Sequence, residues 1–268
     1  MIDLSCCNIN LLARQIRHDI LIASHVSGHG HIPTCFSVVE MLLATYQSMQ
    51  YNPKNPQDPQ RDLFVLSKGH AALAHYATLA RLGYFEPASV RSFGNYGSLF
   101  GCHADRLKVP GVEASTGSLG HGIALAVGMA LGFKIDHKPN RVFTLVGDGE
   151  ANEGSVWEAA MVASDLKLAN LTVLYDNNLS QKRCLQIYNP EEKFEAFGFD
   201  TYSVDGHNVE QINNALEFPN DRPKVIICNT QKGYGCPSLV NEVFSWHRRA
   251  PKEEELKTLL GELYAQTV

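Results

Sequence analysis

At 268 residues, 44% hydrophobic and 19% charged, the chain is long enough to bury the core of one large domain and too short for a second complete one. A net charge of -5 excludes the broad basic footprint of a nucleic-acid-binding protein, so an anionic ligand must be met by a local site. Seven cysteines, odd in number and without a C-x-x-C pair, point to a reduced cytoplasmic protein rather than a disulfide framework.

The start, Met1 to Asn10, carries Asp3 and Asn8 and lacks a basic start followed by an apolar run, so no targeting segment is expected. Adjacent Cys6 and Cys7 cannot readily share an unstrained disulfide. Ile9, Leu12, Ile16, Ile20 and Ala23 predict an amphipathic helix, and Val38, Met41, Leu42 and Thr45 predict a second after a break at Pro33. Tyr51 to Asp62, with three prolines, reads as a surface connection before a strand at Leu63–Leu66. Helices are expected over Ala71–Leu82 and Pro87–Phe93, then an irregular loop over Phe100–Gly111. A Gly-rich turn, Thr116–Gly122, feeds a helix over Ile123–Phe133, whose apolar run is too short to cross a bilayer.

The next segment is the most telling. Val142–Val146 and Leu171–Tyr175 are short, β-branched apolar runs, as buried parallel strands require. Between them Trp157, Ala160, Met161, Ser164 and Leu168 recur at helical spacing from Glu153 onward. This is a β-α-β unit, and it predicts an α/β fold, doubly wound, with a largely parallel sheet flanked by helices. Asp148 follows the carboxyl end of one strand and Asn178 that of the other, the edge where such sheets bind ligands. An Asp carboxylate, an Asn amide oxygen and a backbone carbonyl near Ser180 make an oxygen set for Mg²⁺ on a diphosphate. Gly147 and Gly149 are expected to allow a tight turn and the approach of phosphate. Further on, a strand is expected at Val225–Cys228. A final helix over Pro251–Gln266 should bury Leu256, Leu259, Leu260 and Leu263.

Gly147-Asp148-Gly149 followed, after residues 150–176, by Asn177-Asn178 resembles the thiamine diphosphate (ThDP) fingerprint, and GDGEANEGSVWEAAMVASDLKLANLTVLYDNN is similar to its transketolase version. Ser27-Gly28-His29, Leu66-Ser67-Lys68-Gly69-His70-Ala71, Gly101-Cys102-His103, Gly111 to Gly120 and Val204-Asp205-Gly206-His207 resemble transketolase segments in family order. They cover most of the chain, which looks like the amino-terminal, diphosphate-binding subunit of a split transketolase, one domain over residues 1–268.

The resemblance implies a set of roles. ThDP and Mg²⁺, or Ca²⁺ or Mn²⁺ in the same place, are the expected cofactors. Asp148, Asn178 and Ser180 would hold the metal; His70, Gly147, Gly149 and Asn178 the diphosphate; Gly117 and Leu119 the middle of the cofactor. His29, His103 and His247 would act on a sugar or sugar phosphate, in ketol transfer from a ketose to an aldose. The activating glutamate of the family sits on a pyrimidine-binding domain absent from this chain, so a carboxy-terminal partner subunit is expected, two copies of each forming a heterotetramer. No nucleic acid or membrane partner is implied.

Four places depart from the family pattern: Ser27-Gly28-His29-Gly30-His31 replaces the usual continuation with proline and glycine, Leu179 the glycine after Asn178, Arg248 the glycine after His247, and His121 a glutamine. Three other readings stay open. One is a subunit of another ThDP enzyme, of the 2-oxo acid dehydrogenase or 1-deoxyxylulose-5-phosphate synthase type. Another is a non-catalytic regulatory subunit of the same fold. A nicotinamide-binding domain lacks support, because no G-x-G-x-x-G follows a strand.

Overall fold

The computed structural model describes Leu4, residues 7–183 and residues 185–265. Cys6, Cys184 and Gln266, the expected end of the last helix, lie outside the described residues. Five strands form one parallel sheet: β1 (Leu63–Leu66), β2 (Val142–Gly147), β3 (Leu171–Asn177), β4 (Asp200–Asp205) and β5 (Lys224–Asn229), in the order β1-β2-β3-β5-β4. Alternation along the buried strands divides the core. Phe143 and Leu145 face one apolar cluster with Phe64, Leu66, Leu174 and Ile226, while Val142 and Val146 face the other with Val65, Val173, Tyr175 and Ile227.

Helices cover both faces. On the first lie α1 (Ile9–Ser27), α2 (Ile32–Ser37), α3 (Val39–Ser48) and α4 (Ala72–Arg81). On the second lie α5 (His121–Ile135), α6 (Gly154–Asp165) and α7 (Pro190–Ala196). α8 (Val209–Glu217), α9 (Pro237–Asn241) and α10 (Glu253–Ala265) return to the first face, and α10 packs on α1. The sheet is therefore doubly wound, as its sequence pattern predicts. Among the described residues no helix is long and apolar enough to cross a membrane.

Local chemistry fixes the element ends. Asn8 caps α1 by accepting from the Leu11 amide at 3.0 Å, and Gly28 closes it in the left-handed region at φ 67°. Pro33 does not break a helix: it sits in the first turn of α2, where the missing N–H has no partner to lose. The Pro87 segment is a 3₁₀ turn, Pro87–Ser92, and Phe100–Gly111 is irregular as expected. β4 was not legible in sequence, because it is a half-exposed edge strand, Asp-Thr-Tyr-Ser-Val-Asp, with too little apolar contrast. The small helices α7, α8 and α9 were likewise missed; they carry only one to three buried residues each beyond their prolines. The described cysteines Cys7, Cys35, Cys102, Cys228 and Cys236 are free thiols.

Candidate active site

At the carboxyl end of β2 and β3, the Asp148 amide donates to the Asp176 carbonyl at 3.1 Å, which places Asp148 beside the turn carrying Asn178. Asp148 is buried; its Oδ1 accepts from the Gly149 amide at 2.7 Å, and its Oδ2 has no hydrogen-bond partner among the described residues. Burial, followed by the neighbouring Asp176 carboxylate, pushes the Asp148 carboxyl up from its ordinary range. An unpartnered buried carboxylate oxygen is costly and calls for a cation.

Asp176 is a different case, fully buried and fully used. Its Oδ2 accepts from Lys68 Nζ at 2.5 Å, Asn178 Nδ2 at 2.7 Å and Ser37 Oγ at 2.9 Å, while Thr230 donates to Oδ1. Four elements meet on this carboxylate. It holds the Asn178 amide nitrogen, so the amide oxygen must face the other way, where it accepts from the Ser180 amide at 3.0 Å and the Ser180 hydroxyl at 2.5 Å. Leu179, between them, sits at φ 57° in the left-handed region, which only glycine adopts without strain.

Glu150 ties the other walls together. Its buried carboxylate accepts from Ser67 Oγ at 2.6 Å, the Gly120 amide at 2.9 Å and the Gly147 amide at 3.1 Å. One side chain thus braces the end of β1, the Gly-rich turn and the end of β2. The turn also touches the β1 loop directly: a Cβ on Gly69 would lie 2.7 Å from the Gly117 amide nitrogen. Of the two reasons expected for Gly147 and Gly149, the tight turn does not hold. Neither has a positive φ, Gly149 lying at φ -66°, so a tight turn does not require them. A Cβ on Gly149 would meet no atom within 4 Å, so the glycine keeps space open beside the Asp148 carboxylate.

These walls enclose a cavity of about 630 Å³, well within the range of small-molecule sites. Gly117, Leu119, Gly147, Asp148, Gly149 and Ser180 line it, with His70, His103 and His247. Of the residues singled out from sequence, His29 and Asn178 do not line it. His29 packs edge-on against His31, near Cys102 Sγ at 3.7 Å, and Asn178 opens onto a neighbouring cavity that shares Ser180 and Lys232. His121 is exposed, and its Nδ1 lies 3.2 Å from the Leu119 carbonyl. The cavity residues that sequence reasoning missed are His31, Lys68, Glu150, Asn152, Gln181, Leu185 and Lys232.

Cations and neutral rings dominate one side. Lys232 Nζ donates to Ser180 Oγ at 2.8 Å and to His247 Nδ1 at 3.4 Å, which leaves the His247 proton on Nε2. Burial, then the Lys68 ammonium, pushes Lys232 down to about 8. Burial, with Lys68 next, takes His70 to about 2, so it stays neutral. His103 and His247 are also held low, chiefly by burial, with His29 next for the first and Lys232 for the second. The Val204-Asp205-Gly206-His207 segment supports Lys232 from below. The Gln231 amide donates to His207 Nε2 at 2.8 Å, so Nδ1 carries the proton and donates to Glu40 Oε2 at 3.1 Å. Burial alone would raise the Glu40 carboxyl; the Arg17 guanidinium at 2.6 Å overcomes it and holds it at about 2.

The unpartnered anionic oxygen of Asp148 on the cavity wall fits a divalent cation on a diphosphate, while the Asn178 amide oxygen is engaged by Ser180 beside it. Residues 10–264 match the family model described as transketolase, thiamine diphosphate binding domain. The 6-deoxy-6-sulfo-D-fructose transketolase subunit SqwG of Clostridium sp. (strain MSTE9) is 40% identical over 245 residues, 88% of this chain and 89% of that one. An apulose-4-phosphate transketolase subunit of Actinobacillus succinogenes is 36% identical across 97% of this chain and 98% of its own length. The transketolase structure from Campylobacter jejuni superposes with a TM-score of 0.86 at 29% identity, covering 96% of this chain and 43% of that one. The chain thus matches subunit-sized relatives nearly end to end and less than half of a full-length enzyme, and it belongs to the transketolase family, as its thiamine diphosphate-binding part.

Proposed function

We propose that residues 1–268 form one ThDP- and Mg²⁺-binding domain, the diphosphate-binding subunit of a split transketolase. It would transfer a two-carbon ketol unit from a ketose, free or phosphorylated, to an aldose. The observation that carries this reading is the unpartnered, buried Asp148 Oδ2 on a cavity walled by Lys68, Lys232 and neutral histidines. ThDP, when bound, supplies the carbanion sink that ketol transfer needs.

The chain's own residues supply binding and proton handling. Asp148, the Asn178 amide oxygen and a carbonyl near Ser180 would hold the metal. Lys232 and His70 would meet the diphosphate, with Gly149 leaving room for it, and Gly117 and Leu119 the cofactor's middle. His103 and His247, neutral at physiological pH and on the cavity wall, can each give or take a proton at a sugar oxygen. His29, its ring 6.2 Å from that of His31, would join them at the sugar. The partner is a pyrimidine-binding chain, two of each subunit making the active assembly in the cytoplasm, a setting that suits the free thiols.

Co-expression with the pyrimidine-binding chain tests this. Ketose cleavage that needs both chains, ThDP and Mg²⁺ is expected, and Asp148→Ala should abolish Mg²⁺-dependent ThDP binding. Full activity from this chain by itself, or pyruvate decarboxylation without ketose cleavage, would overturn the assignment.

A further inference from the structure

The fold turns His31 into the cavity. It lies at the centre of the histidine wall, its ring centroid 5.5 Å from His70, 5.7 Å from His247 and 6.2 Å from His29. It lines the cavity, which His29 does not.

Its backbone is fixed from both sides. The preceding turn is closed by Ser24 Oγ donating to the His29 carbonyl at 2.7 Å, and a Cβ on Gly30 would sit 2.6 Å from that hydroxyl. The His31 carbonyl accepts the Cys35 amide at 3.1 Å as α2 begins, and His31 pairs as an isolated parallel bridge with Arg249. The ring itself makes no hydrogen bond among the described residues. A half-buried, rigidly mounted ring on a cavity wall, with both nitrogens open, is arranged for a ligand.

Burial, then His247, His29, Arg248 and His103, holds it at about 4. It is therefore neutral near pH 7, with one N–H to give and one lone pair to accept with. A hydroxyl group has the same pairing capacity. An isolated anion does not, and it would leave the lone pair facing negative charge.

We propose that His31 is a specificity-determining residue, which hydrogen-bonds a hydroxyl of the ketose donor outside the two-carbon ketol unit. The inference rests on the ketol-transfer reading. It adds a recognition contact to this chain, so that the choice of donor does not come only from the partner.

The test uses the co-expressed complex and two kinds of donor. One is the best substrate from a panel of hydroxylated ketoses, free and phosphorylated. The other is hydroxypyruvate, which carries a ketol unit on a carboxylate with no further hydroxyl. For His31→Ala the ratio of kcat/KM for ketose over hydroxypyruvate should fall about tenfold, the effect of one neutral hydrogen bond of about 1–1.5 kcal/mol. His31→Asn, which keeps a donor and an acceptor, should recover part of that ratio. ThDP affinity, read by quenching of Trp fluorescence, reports whether each variant still assembles the cofactor site. An unchanged ratio in both variants, or equal losses on both donors, overturns the assignment of His31 while leaving ketol transfer standing. A wild-type complex that cleaves neither donor overturns the ketol-transfer reading, and this inference with it.

Discussion

Replacing Asp176 by asparagine removes one charge from the centre of the site and almost nothing else. The amide oxygen can still accept from Lys68, Asn178 and Ser37, and the amide nitrogen can face Thr230, whose hydroxyl can turn to accept. What changes is electrostatic: Lys68 is 1% exposed and Asp176 0%, so the variant leaves a buried ammonium without its counter-charge. Breaking a buried pair from one side typically costs about 3–5 kcal/mol, against a total stability of roughly 5–15 kcal/mol. The Asp176→Asn denaturation midpoint should therefore drop sharply. Adding Lys68→Met removes the orphaned charge, so the double variant should be more stable than the summed single effects by at least about 1.5 kcal/mol. Denaturant titrations of the four proteins in one double-mutant cycle measure this. Additivity within about 0.5 kcal/mol would refute the argument, since residues that do not interact behave that way.

Three further outcomes follow from the same geometry. Gly69→Ala would drive a Cβ to within 2.7–2.9 Å of the Thr116 and Gly117 backbone, parting the two loops that flank the cofactor cavity. ThDP binding followed by Trp quenching should weaken by about tenfold or more, as when one strong polar contact is lost. Leu179→Gly relieves a left-handed residue worth roughly 1–2 kcal/mol, offset by about 0.5–1 kcal/mol of added unfolded-chain freedom; the net gain should appear as a small rise in melting temperature. The pH dependence of stability comes from histidines buried neutral. His75 is fully buried and held near 3, and His31 near 4, both by burial, so between pH 6.5 and these values the unfolded chain binds more protons. Stability is full above pH 6.5 and is lost on acidification, with His75 alone contributing about 2 kcal/mol between pH 6.5 and 5. His75→Phe should flatten the fall in melting temperature over that interval; an unchanged slope would count against it.

Buried elements were legible because burial leaves a mark in composition. β2 and β3 are continuous apolar runs with residues suited to the pleat, and α1 carries its buried stripe at helical spacing. The placing of Asp148 and Asn178 at one sheet edge was legible for a related reason: both belong to one β-α-β unit, so a single stretch of sequence records their relation. Lys68, after β1, and Lys232, after β5, had no such record. Each meets the cavity only because the order β1-β2-β3-β5 brings separate loops to one sheet edge. One signal was nevertheless available. Asp176 interrupts an otherwise apolar strand at a position that must be buried, and a buried carboxylate demands a buried cation. Lys68, directly after the apolar run of β1, was the natural candidate. Sequence could not tell turn chemistry from ligand clearance at the GDG glycines, because both select the same residue and only the dihedral angles separate them.

On the proposed function, the charges in the cavity favour a cofactor held by its diphosphate end together with a metal. Lys68 is already neutralised by Asp176, and His31 and His70 are held neutral. Lys232, near 8, is the cation best placed to greet the diphosphate, and it shares the cavity with the Asp148 carboxylate. A diphosphate entering alone would face that carboxylate across a low-dielectric wall, where like charges repel strongly. A divalent cation on Asp148 reverses the sign of that wall, so metal and diphosphate should bind with positive coupling, each raising the other's affinity by the same factor. The coupling resides in residues of this chain, and it should persist in the complex when the sugar-facing histidines are replaced.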